Sequence, residues 1–341
     1  MLRALALTLI VPGLVACDNA VVSPDGGAPP PPMSDAGAGP RDAGEPVDGG
    51  GAEVGRARWV GVGAWGFRAS TGDGASWVST LNPEQANDHS PDLLRDVSYG
   101  DGVFIAVGGD ANAMIMRSTD GVTWAEDLHP AGTQWKGGVA YGDGRWIAVG
   151  GNGSTLYSDD AGLSWTEGPS RLPAAGRNVA WGNGRFVAVG DSGMIASSTD
   201  ALTWTDRSVG GLRLDRLAYG LGRWVTTGSQ WNGSGFDNIC LESADDAETW
   251  RECSFTASRF DAVLATGGSL IVTLGEGYEI YDGTSWRRID TPVPGRVFEA
   301  DGTWVGVGGS RRSYGPSLDA LTAADEAERS FRSFTVGWVR D

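Results

Sequence analysis

The most regular feature of the chain is a short apolar run: an aromatic or aliphatic residue, then Val or Ile, a small or hydroxyl residue, an aliphatic residue or Thr, and Gly. It occurs as Trp59-Val-Gly-Val-Gly63, Phe104-Ile-Ala-Val-Gly108, Trp146-Ile-Ala-Val-Gly150, Phe186-Val-Ala-Val-Gly190, Trp224-Val-Thr-Thr-Gly228, Ile271-Val-Thr-Leu-Gly275 and Trp304-Val-Gly-Val-Gly308. β-Branched runs ending in Gly predict strands, and the small central residue predicts crowding on both faces. A second pattern precedes six of these runs: Val97-Ser-Tyr-Gly-Asp-Gly102, Val139-Ala-Tyr-Gly-Asp-Gly144, Val179-Ala-Trp-Gly-Asn-Gly184, Leu217-Ala-Tyr-Gly-Leu-Gly222, Val263-Leu-Ala-Thr-Gly-Gly268 and Val297-Phe-Glu-Ala-Asp-Gly302. Each reads as a strand entering a tight hairpin turn.

A third pattern, here termed the box, follows each run. Its seven copies are Thr71-Gly-Asp73-Gly-Ala-Ser-Trp77, Ser118-Thr-Asp120-Gly-Val-Thr-Trp124, Ser158-Asp-Asp160-Ala-Gly-Leu-Ser-Trp165, Ser198-Thr-Asp200-Ala-Leu-Thr-Trp204, Ser243-Ala-Asp245-Asp-Ala-Glu-Thr-Trp250, Ile280-Tyr-Asp282-Gly-Thr-Ser-Trp286 and Ser317-Leu-Asp319-Ala-Leu-Thr-Ala323. Their aspartates are 47, 40, 40, 45, 37 and 37 residues apart, the period of a propeller blade. With two strands before the box and two joined by it, the expected fold is all-β, a seven-bladed β-propeller of four-stranded blades. The first run has no strand pattern before it, but Arg332-Ser-Phe-Thr-Val-Gly337 matches Arg95-Asp-Val-Ser-Tyr-Gly100. The C-terminal strand is therefore expected to complete blade one and close the ring, leaving no open sheet edge at the seam.

The boxes resemble the Asp-box, or BNR, repeat of sialidases and related propellers, Ser-x-Asp-x-Gly-x-Thr-Trp, with the third copy matching its full length. In these positions Asp and Ser/Thr satisfy backbone donors of a tight hairpin and Trp packs into the blade, so Asp73, Asp120, Asp160, Asp200, Asp245, Asp282 and Asp319 are expected to be structural. The pattern over residues 58–341 resembles seven-bladed Asp-box propellers of the photosystem II assembly-factor type. That resemblance implies docking of proteins; no cofactor or metal is expected. The sialidase resemblance implies an alternative, glycoside hydrolysis. Those enzymes resemble one another in having six blades, a Phe/Tyr-Arg-Ile-Pro motif, an arginine triad and a Tyr/Glu pair. Here Gly66-Phe67-Arg68-Ala69 lacks Ile-Pro, and Tyr278 and Tyr281 lie beside Glu276 and Glu279 on one strand, where adjacent side chains face opposite ways. No catalytic residue is assigned.

Composition separates the ends of the chain. Residues 1–16 read as a signal peptide, with Arg3 before the apolar Ala4–Val11 stretch. Leu14-Val15-Ala16-Cys17 resembles the lipobox of bacterial lipoproteins, which implies acylation of Cys17 and a protein anchored to, not spanning, the cell envelope, at the outer membrane or cell surface. Residues 17–57 are Gly, Pro, Ala and Asp with few large apolar side chains, the composition of a disordered tether. The net charge of −17 argues against nucleic acid as a partner. Cys240 stands three residues before Ser243 and Cys253 three after Trp250, so a symmetric hairpin sets them opposite each other as a disulfide.

Strand direction divides the loops between two faces. The boxes share one face with the Gly-rich turns; the other carries loops of varied length, the place for a binding surface. On it the sequence puts His89, His129, Trp135 and Lys136, the segment 229–238 with Trp231, and the segment 309–314 with Arg311 and Arg312. At the start of successive innermost strands stand Arg95, Lys136, Arg177, Arg216, Arg259, Arg296 and Arg332, one basic residue per blade. These are expected to ring the mouth of the central channel and bind an anionic group, from an acidic segment of an envelope protein or an anionic carbohydrate. The propeller is expected to be a monomer.

Overall fold

The computed structural model describes residues 55–80, 93–125 and 133–339, apart from 256, 258, 276, 291–294, 325–326 and 328–329. Cys17, His89 and His129 lie outside the described residues. Seven antiparallel sheets follow one another as the blades of a β-propeller, six with four strands each and blade two with three among the described residues. At the edge of that blade Ala125 N–H donates to Arg117 O at 2.8 Å.

Blade one is built from both ends of the propeller. Phe331–Val339 is its innermost strand, followed by Arg56–Gly63, Arg68–Thr71 and Trp77–Thr80. The pairing runs from Arg56↔Val339 to Gly63↔Phe331. The expected closure is thus present, and it is tied to both neighbours: Trp59 Nε1 donates to Phe298 O of blade seven at 3.2 Å, and the Tyr99 hydroxyl of blade two to Trp338 O at 2.5 Å.

The repeats have a packing reason. In four blades the aromatic before the hairpin turn stacks on the one that opens the next strand, as Tyr99–Phe104, Tyr141–Trp146, Trp181–Phe186 and Tyr219–Trp224, with centroids 4.5–5.2 Å apart. The glycine after that aromatic makes room for the ring of the next blade: a Cβ at Gly142 would lie 2.1 Å from Trp181, and one at Gly182 2.3 Å from Tyr219. The turn residues Asp101, Asp143, Asn183, Leu221 and Asp301 and the glycines after them all have positive φ, the two-residue turn that suits strand twist. Trp59, Trp146 and Trp224 are fully buried between blades, and burying such a side chain contributes roughly 1.5–3 kcal/mol.

Arginines fasten one blade to the next on the box face. Arg58 packs over Gly121 of blade two, and Arg117 Nε donates to Ala161 O of blade three at 2.9 Å. Arg145 grips Asp159 of its own blade at 2.6 and 3.0 Å and Asp200 O of blade four at 2.6 Å. Arg185 pairs with Asp246 of blade five at 2.6 Å, and Arg223 bridges Glu242 at 3.0 Å and the Tyr281 hydroxyl of blade six at 3.2 Å.

Two loops predicted on the varied face are instead largely strand. In blade seven Arg311–Gly315 is the third strand, pairing with Trp304–Gly308. In blade five Arg223–Trp231 and Phe236–Ser243 form a long hairpin whose pairing continues to Trp231↔Phe236. Cys240 and Cys253 are disulfide-bonded across the third and outermost strands of that blade, Cα–Cα 5.4 Å, as expected.

A chain ending at Ser330 loses the innermost strand of blade one and exposes Trp59, Phe67 and the edge of Arg56–Gly63. Its thermal unfolding, followed by far-UV circular dichroism, is expected to lose the cooperative transition of the parent; a cooperative melt within a few degrees of the parent contradicts the closure.

Candidate functional site

The box face is an assembly of local hydrogen bonds. In blade two Ser118 Oγ donates to Asp120 Oδ1 at 3.0 Å, Gly121 N–H donates to Ser118 Oγ at 2.8 Å, and the Val122 and Thr123 N–H groups donate to Asp120 Oδ1 at 2.8 and 2.7 Å. Asp73 and Asp200 accept the same pairs of backbone donors, and Asp282 accepts from Thr284 and Ser285 although Ile280 replaces the hydroxyl residue of its box. Donors from Ser164 hold the Asp160 carboxyl down at about 2, and donors from Thr249 hold Asp245 at about 2. Such carboxylates are committed acceptors.

On the same face a cleft of about 510 Å³ opens between blades five and six, beside Arg223, Glu242, Arg251, Tyr281 and Trp286. Glu242 is buried, and both its oxygens are occupied: Oε1 accepts from Arg251 at 2.9 Å, and Oε2 from Arg223 at 3.0 Å and the Trp286 indole at 3.2 Å. The arrangement clamps two blades.

At the axis the strand register sorts the predicted basic residues into tiers. A β-bulge interrupts the innermost strands at Arg95, Gly137, Arg177, Asp215, Asp261 and Arg332, forming an outer tier. The next residue of each strand forms an inner tier: Ser333, Asp96, Gly138, Asn178, Arg216, Ala262 and, in blade seven, Arg296. Asp96 knits half of it together. Its Oδ1 accepts from Ser333 Oγ at 2.6 Å, and its Oδ2 from Val139 N–H at 3.0 Å and the Asn178 side chain at 3.4 Å; Asn178 Oδ1 in turn accepts from Leu217 N–H at 3.0 Å. Burial pushes the Asp96 carboxyl up, against the pull of those donors and of Arg216 and Arg296.

Five of the seven predicted cations, Arg95, Arg177, Arg216, Arg296 and Arg332, fall on these two tiers. Lys136 does not join them. It lies one register position before the bulge, where its side chain turns into the blade, is fully buried, and donates from Nζ to Ser154 Oγ at 2.7 Å. Burial lowers its ammonium to about 8. Arg259 is exposed at the rim and paired with Asp261. The ring is also not purely positive: Arg177 pairs with Asp191 at 2.5 Å and Asp215 at 3.7 Å. Arg216 reaches Arg332 O at 3.5 Å. The bulge explains why the cations are not equally spaced along their strands; counting back from the Gly that ends the second strand recovers the tiers except in blade six, whose second strand ends at Leu274.

The remaining predicted residues are scattered. Trp135 is half-buried beneath Arg95, whose guanidinium lies 4.9 Å from its ring. Arg312 is a buried strand residue stacked on Trp77 at 4.6 Å and Phe331 at 5.6 Å, and only Arg311 beside it is exposed. Trp231, in contrast, projects into solvent. It is 58% exposed and packs only edge-on against Phe236, itself 68% exposed, at 5.0 Å. Asn232 shapes the turn between them by accepting from Ser234 and Gly235 N–H at 3.0 and 2.8 Å. The innermost strand Leu212–Gly220 lengthens with this hairpin, pairing Leu212↔Gln230 and Arg213↔Ser229. Blade five thus protrudes as three strands on the face where the axial arginines lie.

No family model matches the chain, and no curated protein matches it. Solved structures do. YCF48 from Cyanidioschyzon merolae is similar with a TM-score of 0.53 and 14% identity, over 72% of this chain and 95% of that one. YCF48 bound to D1 peptide gives a TM-score of 0.51 and 18% identity, over 84% of this chain and 91% of that one. At these identities the likeness establishes the propeller fold alone.

The boxes yield a pH prediction. Asp160 and Asp245 are depressed below their ordinary value of 3.8, so their stabilisation is complete above that value and is lost as pH falls towards about 2. Asp160→Ala and Asp245→Ala are each expected to lower Tm at pH 6 by about 2–4 °C, the effect of losing a cap-like acceptor. The gap to the parent closes as pH approaches 2; a gap that stays constant from pH 6 to pH 2 contradicts the assignment.

Proposed function

We propose that this chain is a non-catalytic binding or assembly propeller, tethered in the cell envelope through Cys17, that docks a protein partner on the face carrying the blade-five hairpin. The observation that carries this reading is the Trp231–Phe236 pair. Two large aromatic side chains at the tip of a hairpin, each more than half exposed, stand out in a protein whose other described aromatics are all buried or half-buried. Exposed tryptophan on a rigid scaffold is the residue type that dominates protein interfaces, and the turn bonds of Asn232 hold this tip in shape before any partner arrives. One YCF48 structure of the same fold is described as bound to D1 peptide, an instance of a propeller of this kind taking a protein segment. The opposite face supports the same division of labour, because its carboxylates already serve boxes and blade clamps.

Two experiments test the reading. A photocrosslinker at position 231 of the mature protein in its own envelope membranes is expected to trap one defined protein, and Trp231→Ala or Phe236→Ala is expected to weaken binding of that protein at least tenfold. Trapping from position 163 on the box face instead, or unchanged affinity in both variants, overturns the docking face. For the anchor, Cys17→Ser is expected to move the protein from the membrane to the soluble fraction; retention of the variant on membranes contradicts acylation at that residue.

A further inference from the structure

The inner tier at the axis is uneven. Ser333, Asp96, Gly138 and Asn178 follow one another around the ring and are bound together through Asp96, while Arg216, Ala262 and Arg296 complete it. Two guanidiniums therefore flank a residue whose side chain is a single methyl. Arg296 presents five N–H donors, yet among the described residues it makes no hydrogen bond and no ion pair, its attraction to Asp96 and Asp261 acting at longer range. The residue is half-buried, so water still reaches it. Among the described residues the Arg216 side chain donates to two carbonyls, those of Asp215 and Arg332, at 3.3 and 3.5 Å.

Among the described residues neither guanidinium has a carboxylate within bonding distance: Asp215 pairs with Arg213 and Arg177, and Asp261 with Arg259. Burial pushes each below the usual arginine range, and each repels the other or a neighbouring arginine. Asp96 attracts both from a distance but bonds to neither, its two oxygens accepting from Ser333, Val139 and Asn178. An oxyanion between Arg216 and Arg296 would supply acceptors for both forks in a low-dielectric site, where charge-assisted bonds are strongest. Arg95, Arg177 and Arg332, one tier out, add their field at the entrance.

We propose that Arg216 and Arg296, on either side of Ala262, form a seat for one oxyanion, a carboxylate or phosphate group carried by a small free anion or by an acidic side chain that enters the channel. The seat does not depend on the docking reading, because a free anion fills it with no partner present. Its chemistry sets the probes. Full-length mature protein is titrated calorimetrically at low salt with inorganic phosphate and, separately, with a blocked hexaglutamate peptide. At least one is expected to bind, and added sodium chloride to weaken it. Binding of phosphate marks a free anion as occupant, and binding of hexaglutamate alone marks an acidic chain.

Arg296→Met is expected to lower the affinity of the binding probe at least tenfold, Arg296→Lys to lower it less, and Arg171→Ala, which removes a surface cation paired with Glu167, to leave it unchanged. Ala262→Val, which enlarges the buried residue between Arg216 and Arg296 in ring order without altering charge, is expected to weaken binding as well; its melting curve and that of Arg296→Lys check that the fold persists. The proposal fails if neither probe binds at millimolar concentration, or if Arg296→Met and Ala262→Val both bind as the parent does.

Discussion

A ring of blades is held only as well as its last blade meets its first, and here that junction is a single sheet made from the two ends of the propeller. Phe331–Val339 pairs along the whole of Arg56–Gly63, and its Ser333 hydroxyl reaches the buried Asp96 of the next blade. Once the strand is in place, each innermost strand sits beside its neighbour at fixed height, and the two tiers at the axis follow. Without it blade one has no centre, and the carboxyl of Asp96 loses a donor in a place where an unmatched polar group is costly. Closure and axis are therefore one feature. The groups that line the channel also lock its wall.

The two faces have been put to different uses by the same chemistry. On the box face, arginines and carboxylates are spent on each other: Arg145, Arg185 and Arg223 each join two blades, and the box aspartates accept backbone donors within their own hairpins. On the opposite face charges are less evenly matched, and two aromatic side chains, Trp231 and Phe236, are left out in water. The contrast between Arg223, which has both a carboxylate and a phenol for partners, and Arg296, which has neither among the described residues, expresses that difference within two side chains of the same type.

Much of this was legible in the residues. The blade count, the order of strands, the closure, the disulfide and the place of the boxes all follow from periodicity and from the turn chemistry of Tyr-Gly-Asp-Gly and Ser-x-Asp, because those signals are local and repeated. The axial tiers were half legible. A recurring cation at the start of each innermost strand is visible in sequence, but whether it points to the channel or into the blade depends on a bulge of one residue, and Lys136 falls on the wrong side of it. Arg312 was read as a loop residue for a similar reason: nothing in Gly309-Ser-Arg-Arg-Ser-Tyr314 announces that strand pairing resumes after two residues. The blade-to-blade arginines escaped notice because each contact joins residues about 40–60 positions apart, and no single-blade pattern carries it.

We propose that the binding surface is the face of the blade-five hairpin and the axial arginines, and that the boxes hold blades together. Amide hydrogen exchange, compared between the protein in its native membranes and the same protein purified, tests it most directly. The account predicts slower exchange in the membranes across residues 229–238 and at the starts of the innermost strands near Arg95, Arg216 and Arg296, with the seven boxes unchanged. Protection confined to the boxes, with the hairpin exchanging equally fast in both states, would contradict it.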